Sequence, residues 1–220
     1  MNSYNVTITG ITPLLLHRDN IEFADQLARW REEPSNKKLS KAGDDRTPAF
    51  TWLGCLYEHD GLVVMPSDNL MRCFMEGGAS VPVPGGKNGK TFKAQTQSGM
   101  MTAEPAWAIE VRGKTIDAKQ LYKLQSEMDF ERHKAVVEKN GFSLFVKRAK
   151  IGSSKHIRVR PKFHEWTLRG RIDVWDEQIT KDALMSILSF AGDYKGLGDW
   201  RPSGRTPGPH GRFRVELQKV

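Results

Sequence analysis

The segment 196–213, GLGDWRPSGRTPGPHGRF, holds five glycines and three prolines among Trp200, Arg201, Arg205, His210 and Arg212. Glycine lets a backbone take positive φ and bring its N–H groups close to an anion. Arg201 and Arg205 add charge, and Trp200 is an indole placed to stack on a base. Gly196, Gly198, Trp200, Arg201 and Arg205 are therefore candidates for binding a polyanion.

The charge agrees with that chemistry. Residues 147–171 carry nine cations (Lys147, Arg148, Lys150, Lys155, Arg158, Arg160, Lys162, Arg169 and Arg171) against one acid, Glu165. That excess equals the +8 of the whole chain, so the imbalance is local. Alternation places Arg158, Arg160 and Lys162 on one ridge of a strand, with Arg169 and Arg171 on the next strand as its extension. Like charges side by side repel unless something anionic lies between them. A second basic loop, 81–99, contributes Lys87, Lys90 and Lys93 and has no acid. A polyanion is the natural counterion, since each neutralised phosphate releases condensed cations. The alternative is a solvated sheet face whose arginines pair with acids from elsewhere.

Catalysis has fewer candidates. His17, whose imidazole type titrates near neutral pH, is the candidate general base or acid. His156, His164 and His210 lie in basic stretches and suit contact with phosphate or solvent, while His133 reads as an exposed helix position. The chain has no HExxH, GxSxG or Walker spacing, and GGKNGKT at 85–91 lacks the phosphate-loop pattern. Cys55 and Cys73 form no CxxC, so neither a metal nor another cofactor is expected.

The elements that must position these residues follow from periodicity. Tyr4, Val6 and Ile8 alternate as a half-buried strand. Asn20 caps a helix with Ile21, Ala24, Leu27 and Ala28 at helical spacing. Residues 49–65 read as a hairpin turning at His59-Asp60-Gly61. Pro66-Ser67-Asp68 opens a helix with Leu70, Cys73 and Phe74 inward, stopped by Gly77-Gly78. Trp107, Ile109 and Val111 suggest a strand, and 117–139 a helix with Leu121, Leu124 and Met128 inward. Two period-2 runs, 157–163 and 166–174, read as an antiparallel pair. Thr180 caps a helix on Leu184, Ile187, Leu188 and Ala191 with Gly192 at its end, and Phe213, Val215 and Leu217 close the chain as a strand. Stripped of insertions, this is strand, helix, strand, strand, helix, strand: an α+β, ferredoxin-like pattern of the RNA-recognition-motif type. Residues 1–220 read as one domain, with 18–48 and 81–140 as projecting insertions.

Three pieces carry a family resemblance. Gly196-Leu197-Gly198, followed five residues later by Gly204, lies between the last helix and the last strand. The opening strand runs into TPLLLHRDN, and Pro66-Ser67-Asp68-Asn69-Leu70 enters the first core helix. Together these resemble the RAMP superfamily, the RNA-recognition-motif-like proteins that form CRISPR backbones and process guide RNA. The chain departs from the pattern at Met71-Arg72 and in the second half of the glycine loop. The resemblance implies a backbone-type subunit that lines up with copies of itself, or with other effector-complex subunits, along single-stranded RNA or DNA, the 18–48 segment touching the next copy. A free-standing viral or mobile-element relative fits equally. Asp44 and Asp45 resemble the loop aspartate with which some backbone subunits cut target RNA. An endoribonuclease of this fold and a viral protein using its basic face on an acidic protein are the alternative readings.

A composition of 38% hydrophobic and 27% charged residues excludes a disordered chain. With no apolar run near the ~20 residues of a membrane span and no signal-peptide pattern, the expectation is a cytoplasmic protein without membrane contact.

Overall fold

The computed structural model of the chain describes residues 1–37, 49–151 and 154–220, the side chains of 149–151 and 154–156 excepted. The architecture is α+β, built on antiparallel sheets. Strand β1 (Asn2–Gly10) buries Tyr4, Val6 and Ile8, as its alternation requires. It lies between β12 (Phe213–Lys219) and β11 (Thr167–Val174), antiparallel to both. On the far side of β11 lie β5 (Met100–Thr102) and β7 (Glu110–Val111), and β8 (Lys114–Thr115) pairs with β7.

Part of the expected 81–140 insertion therefore enters the main sheet. The reason is burial: Trp107, Ile109 and Val111 are all in the core. Trp107 lies over Gly170 of β11, where any Cβ would overlap the indole.

Helices α2 (Ser67–Gly78) and α6 (Lys181–Phe190) pack against each other. Each begins where the sequence places it, and Thr180 accepts a bond from the Ala183 amide, 3.2 Å. Helix α2 ends at Gly77-Gly78, where the sequence places its stop. A Cβ on Gly77 would stand 2.6 Å from the Ile187 carbonyl oxygen and 2.9 Å from the Ala191 Cβ, so this glycine also permits the close helix approach. The end of α6 differs from expectation: Gly192 is no cap but sits within a π turn (Ala191–Lys195), and the chain leaves the helix at Gly196, φ +72°.

The second sheet holds the largest departure. Strand β10 (Ser154–Phe163) does not pair with β11. It pairs with β9 (Phe142–Ile151), from Phe163 opposite Phe142 to Ser154 opposite Ile151, and at its base with β2 (Leu14–Leu15). The link between β10 and β11 crosses from one sheet to the other. Buried Trp166 fixes the crossing, its ring N–H donating to the Thr12 carbonyl (2.9 Å) and its own carbonyl accepting from Gly10 (2.9 Å).

Elsewhere the expected hairpin at 49–65 is only half formed. Its turn is present at Asp60 and Gly61 (φ +52° and +79°), between β3 (Glu58–His59) and β4 (Leu62–Pro66). Residues Ala49–Cys55 form a 3-10 helix that buries Trp52 and Leu53. Strand β4 pairs with β6 (Ala106–Ala108). The expected 117–139 helix is broken into α4 (Ala118–Tyr122), a 3-10 turn (Lys123–Ser126) and α5 (Phe130–Lys139), and Met128 is exposed at the break. Helix α1 (Ile21–Glu32), capped by Asn20, has no buried residue, and its Phe23 meets Phe50 and Tyr122. Between α2 and β5 lies the short α3 (Lys93–Ser98). No helix among the described residues is long and apolar enough to cross a membrane.

His133 is fully buried, not exposed. Its Nδ1 accepts from the Trp52 indole at 2.8 Å, so Nε2 carries the proton and donates to the Glu127 carbonyl at 2.9 Å. Trp52→Phe would strand the Nδ1 acceptor in the core. It is expected to lower stability by about 2 kcal/mol, read as a shifted midpoint in denaturant unfolding; an unchanged midpoint would show that the bond contributes nothing.

Candidate nucleic-acid interface

The glycine loop is folded onto the body of the protein. Gly196, Gly198 and Gly211 take φ of +72°, +74° and +76°. The loop's amides turn inward. Leu197 N donates to Gly211 O, Asp199 N to Leu15 O and Gly211 N to Pro13 O, each at 2.9 Å. These three N–H groups are satisfied by carbonyls of the protein and so are not open to a ligand.

Arg201 secures this loop from beneath. Its two terminal nitrogens donate to both Glu76 oxygens on α2 (2.8 and 3.0 Å), and one also reaches the Gly196 carbonyl (3.3 Å). Burial works against the Glu76 charge, but bonds from Arg201 and Ser203 outweigh it and hold the carboxyl down at about 2. Arg201 is thus engaged as an anchor, while Arg205 is exposed.

Above the loop stands the β9–β10 ribbon. Residues opposite each other share a face, so Arg158 with Lys147, Arg160 with Phe145 and Lys162 with Ser143 form one file. The expected ridge is present, and its extension comes from Lys147 rather than from the following strand. Arg169 and Arg171 lie in the other sheet, paired with Glu110 and with Asp173 (3.2 Å). Arg148 is exposed on the opposite ribbon face, opposite Ile157. Lys150 and Lys155 are opposite each other in the backbone register.

The loop presents its aromatic residues to the basic file. The Trp200 ring centroid lies 6.2 Å from Phe145 and 5.2 Å from His210, which is itself 5.7 Å from Phe145. The Lys147 ammonium sits 3.0 Å from the Trp200 centroid, and that of Lys162 lies 5.4 Å from Phe145. Arg160 is ion-paired to Asp199 at 2.5 Å and is only 16% exposed. His210 is buried, with its Nδ1 unpartnered; burial, then Lys162, lowers its pKa.

Beside the loop is a cleft of about 200 Å³ lined by His17, Tyr57, Asn69, Arg72, Asp199 and Arg201 together with the backbone of 196–198. Burial of the His17 ring, then the charge of Arg160, lowers its pKa, which favours the neutral imidazole. Asp44 and Asp45 lie outside the described residues. Lys87 and Lys90 are exposed on the turn leading into α3, which packs on α2, and Lys93 is exposed at the first residue of that helix. Phe92, by contrast, is core.

Sequence reasoning missed Phe145, Asp199 and Glu76. Phe145 had a signal, since Phe142, Leu144 and Val146 alternate with Ser143, Phe145 and Lys147. Glu76 had none, because its partner is 125 positions away.

No protein-family model matches the chain, and a search of curated proteins finds no match. Among solved structures, the crystal structure of Cmr6 from Pyrococcus furiosus aligns over 97% of this chain and 98% of that one, at 10% identity and a TM-score of 0.38. A likeness that weak establishes neither fold nor function.

Proposed function

We propose that the chain is a single-stranded nucleic-acid-binding subunit with a ferredoxin-like core. The strand order β12–β1–β11–β5, with α2 and α6 packed together, supports the core. One observation carries the binding role: Lys147, Arg158, Arg160 and Lys162 share a ribbon face with an aromatic cluster centred on Trp200. Cations track the phosphates, and rings accept bases of any sequence. Copies side by side along the strand, or neighbouring effector-complex subunits, are the natural partners. Helix α1, which buries none of its residues, suits contact with the next copy.

Titrating labelled single strands of RNA and DNA of increasing length tests this. The expected result is affinity falling with salt, with a slope of roughly −1.5 from the two phosphate contacts of Lys147 and Lys162, and protein bound in proportion to strand length. Absence of binding at low salt, with capture of an acidic protein instead, would overturn it.

The cleft supports a second reading, endoribonuclease activity, because it brings His17, whose neutral form burial favours, together with Arg72, Tyr57 and Asn69. Discrete RNA fragments that disappear in His17→Ala are its expected signature, and intact RNA in the wild type would dismiss it.

A further inference from the structure

Trp200 and Lys147 are arranged in an unusual way for two residues of a binding face. Trp200 is one of the few described non-glycine residues at positive φ, +48°. A bulky side chain is held in that conformation only when its surroundings over-determine it, and such positions concentrate at functional sites. The surroundings are visible. The preceding amide, Asp199 N, donates to Leu15 O, and the Trp200 carbonyl accepts from His210 N at 3.4 Å. Gly208 lies so close that any Cβ would overlap the Trp200 ring and carbonyl, and Phe145 and His210 stand beside the indole. The ring is therefore fixed in place. Lys147 is different: its flexible side chain reaches from β9, half exposed, and lays its ammonium on the ring.

We infer that Lys147 and Trp200 form an exchange latch that selects unpaired nucleotides: in the free chain the ammonium occupies the indole, and in the complex a phosphate takes the ammonium while a base takes the vacated ring. This deepens the nucleic-acid reading and rests on it. A cation on an aromatic ring at a half-exposed site is held weakly. An ammonium–phosphate contact is charge-assisted and releases condensed cations, so the exchange runs downhill. A duplex supplies the phosphate, but its stacked bases cannot reach the ring. A single strand supplies both groups. The latch thus turns a sequence-blind phosphate grip into a preference for single strands.

The test uses the full chain and three probes of equal length: uridine or thymidine strands, abasic strands of the same sugar, and a duplex. Binding is followed by anisotropy and by tryptophan emission. The wild type is expected to bind the base-bearing strand about tenfold more tightly than the abasic one, with quenching that is absent in Trp200→Leu. In Trp200→Leu the two affinities converge while abasic binding persists, which also shows that the variant is folded. Lys147→Met is expected to keep the base preference and to lose about one unit of salt slope. Equal wild-type affinity for base-bearing and abasic strands, or an undiminished preference in Trp200→Leu, would overturn the latch and leave the nucleic-acid reading intact. Failure of every probe to bind at low salt would overturn both.

Discussion

With Lys147 and Lys162 both exchanged for Glu, the chain is expected to bind a single strand about 100-fold more weakly at moderate salt. Their ammonium groups lie on the Trp200 and Phe145 rings rather than on carboxylates. Reversal therefore removes two phosphate contacts and adds two repulsions without breaking an ion pair among the described residues. The slope of log affinity against log salt is expected to become shallower by about 1.5. Arg169→Glu with Arg171→Glu is the matched control. Those two arginines already pair with Glu110 and Asp173 in the other sheet, and affinity is expected to stay within about threefold. Anisotropy titration of the two double variants separates the cases. Equal losses in both would mean that binding follows net charge and not the ribbon face.

That contrast also shows where the sequence could and could not be read. Period-2 alternation identified β10 and β11 correctly as strands and set Arg158, Arg160 and Lys162 on one face, because side-chain parity is a local property. It could not identify their neighbours. Pairing is decided by which apolar faces meet in the core, and here Trp166, bonded to the Thr12 carbonyl, turns the chain out of one sheet and into the other. The same limit explains the glycines. Gly192 reads as a helix stop from its type alone, yet it lies in a π turn and admits Phe213, and Gly77, which does end α2, also admits Ala191. A glycine needed for close packing across elements carries no local mark. His133 was misjudged for a related reason: its bond from Trp52 joins residues 81 positions apart.

Glu76 is the place where fold and candidate site meet, and Glu76→Gln is expected to lower stability near neutral pH by about 1 kcal/mol, since solvent screens this partly exposed pair. The change leaves the Arg201 guanidinium, 19% exposed, without its bidentate partner. The cost should fall on the glycine loop first, because Arg201 also holds the Gly196 carbonyl. The pH dependence follows from the same contact. The Glu76 carboxyl titrates at about 2 in the folded chain, against 4.5 as its ordinary value. A carboxyl whose pKa is depressed by folding stabilises fully above the unfolded value, and that contribution fades as pH falls through the folded one. Wild-type stability should therefore drop between about pH 4.5 and pH 2, while Glu76→Gln, lacking the titrating group, should not share that part of the drop. The two denaturation midpoints, well separated at pH 7, should converge across this window. Because Trp200 is carried by the same loop, strand binding by Glu76→Gln at pH 7 should weaken together with stability. A midpoint gap that stays constant from pH 7 to pH 2 would show that the Glu76–Arg201 pair does not secure the loop in solution.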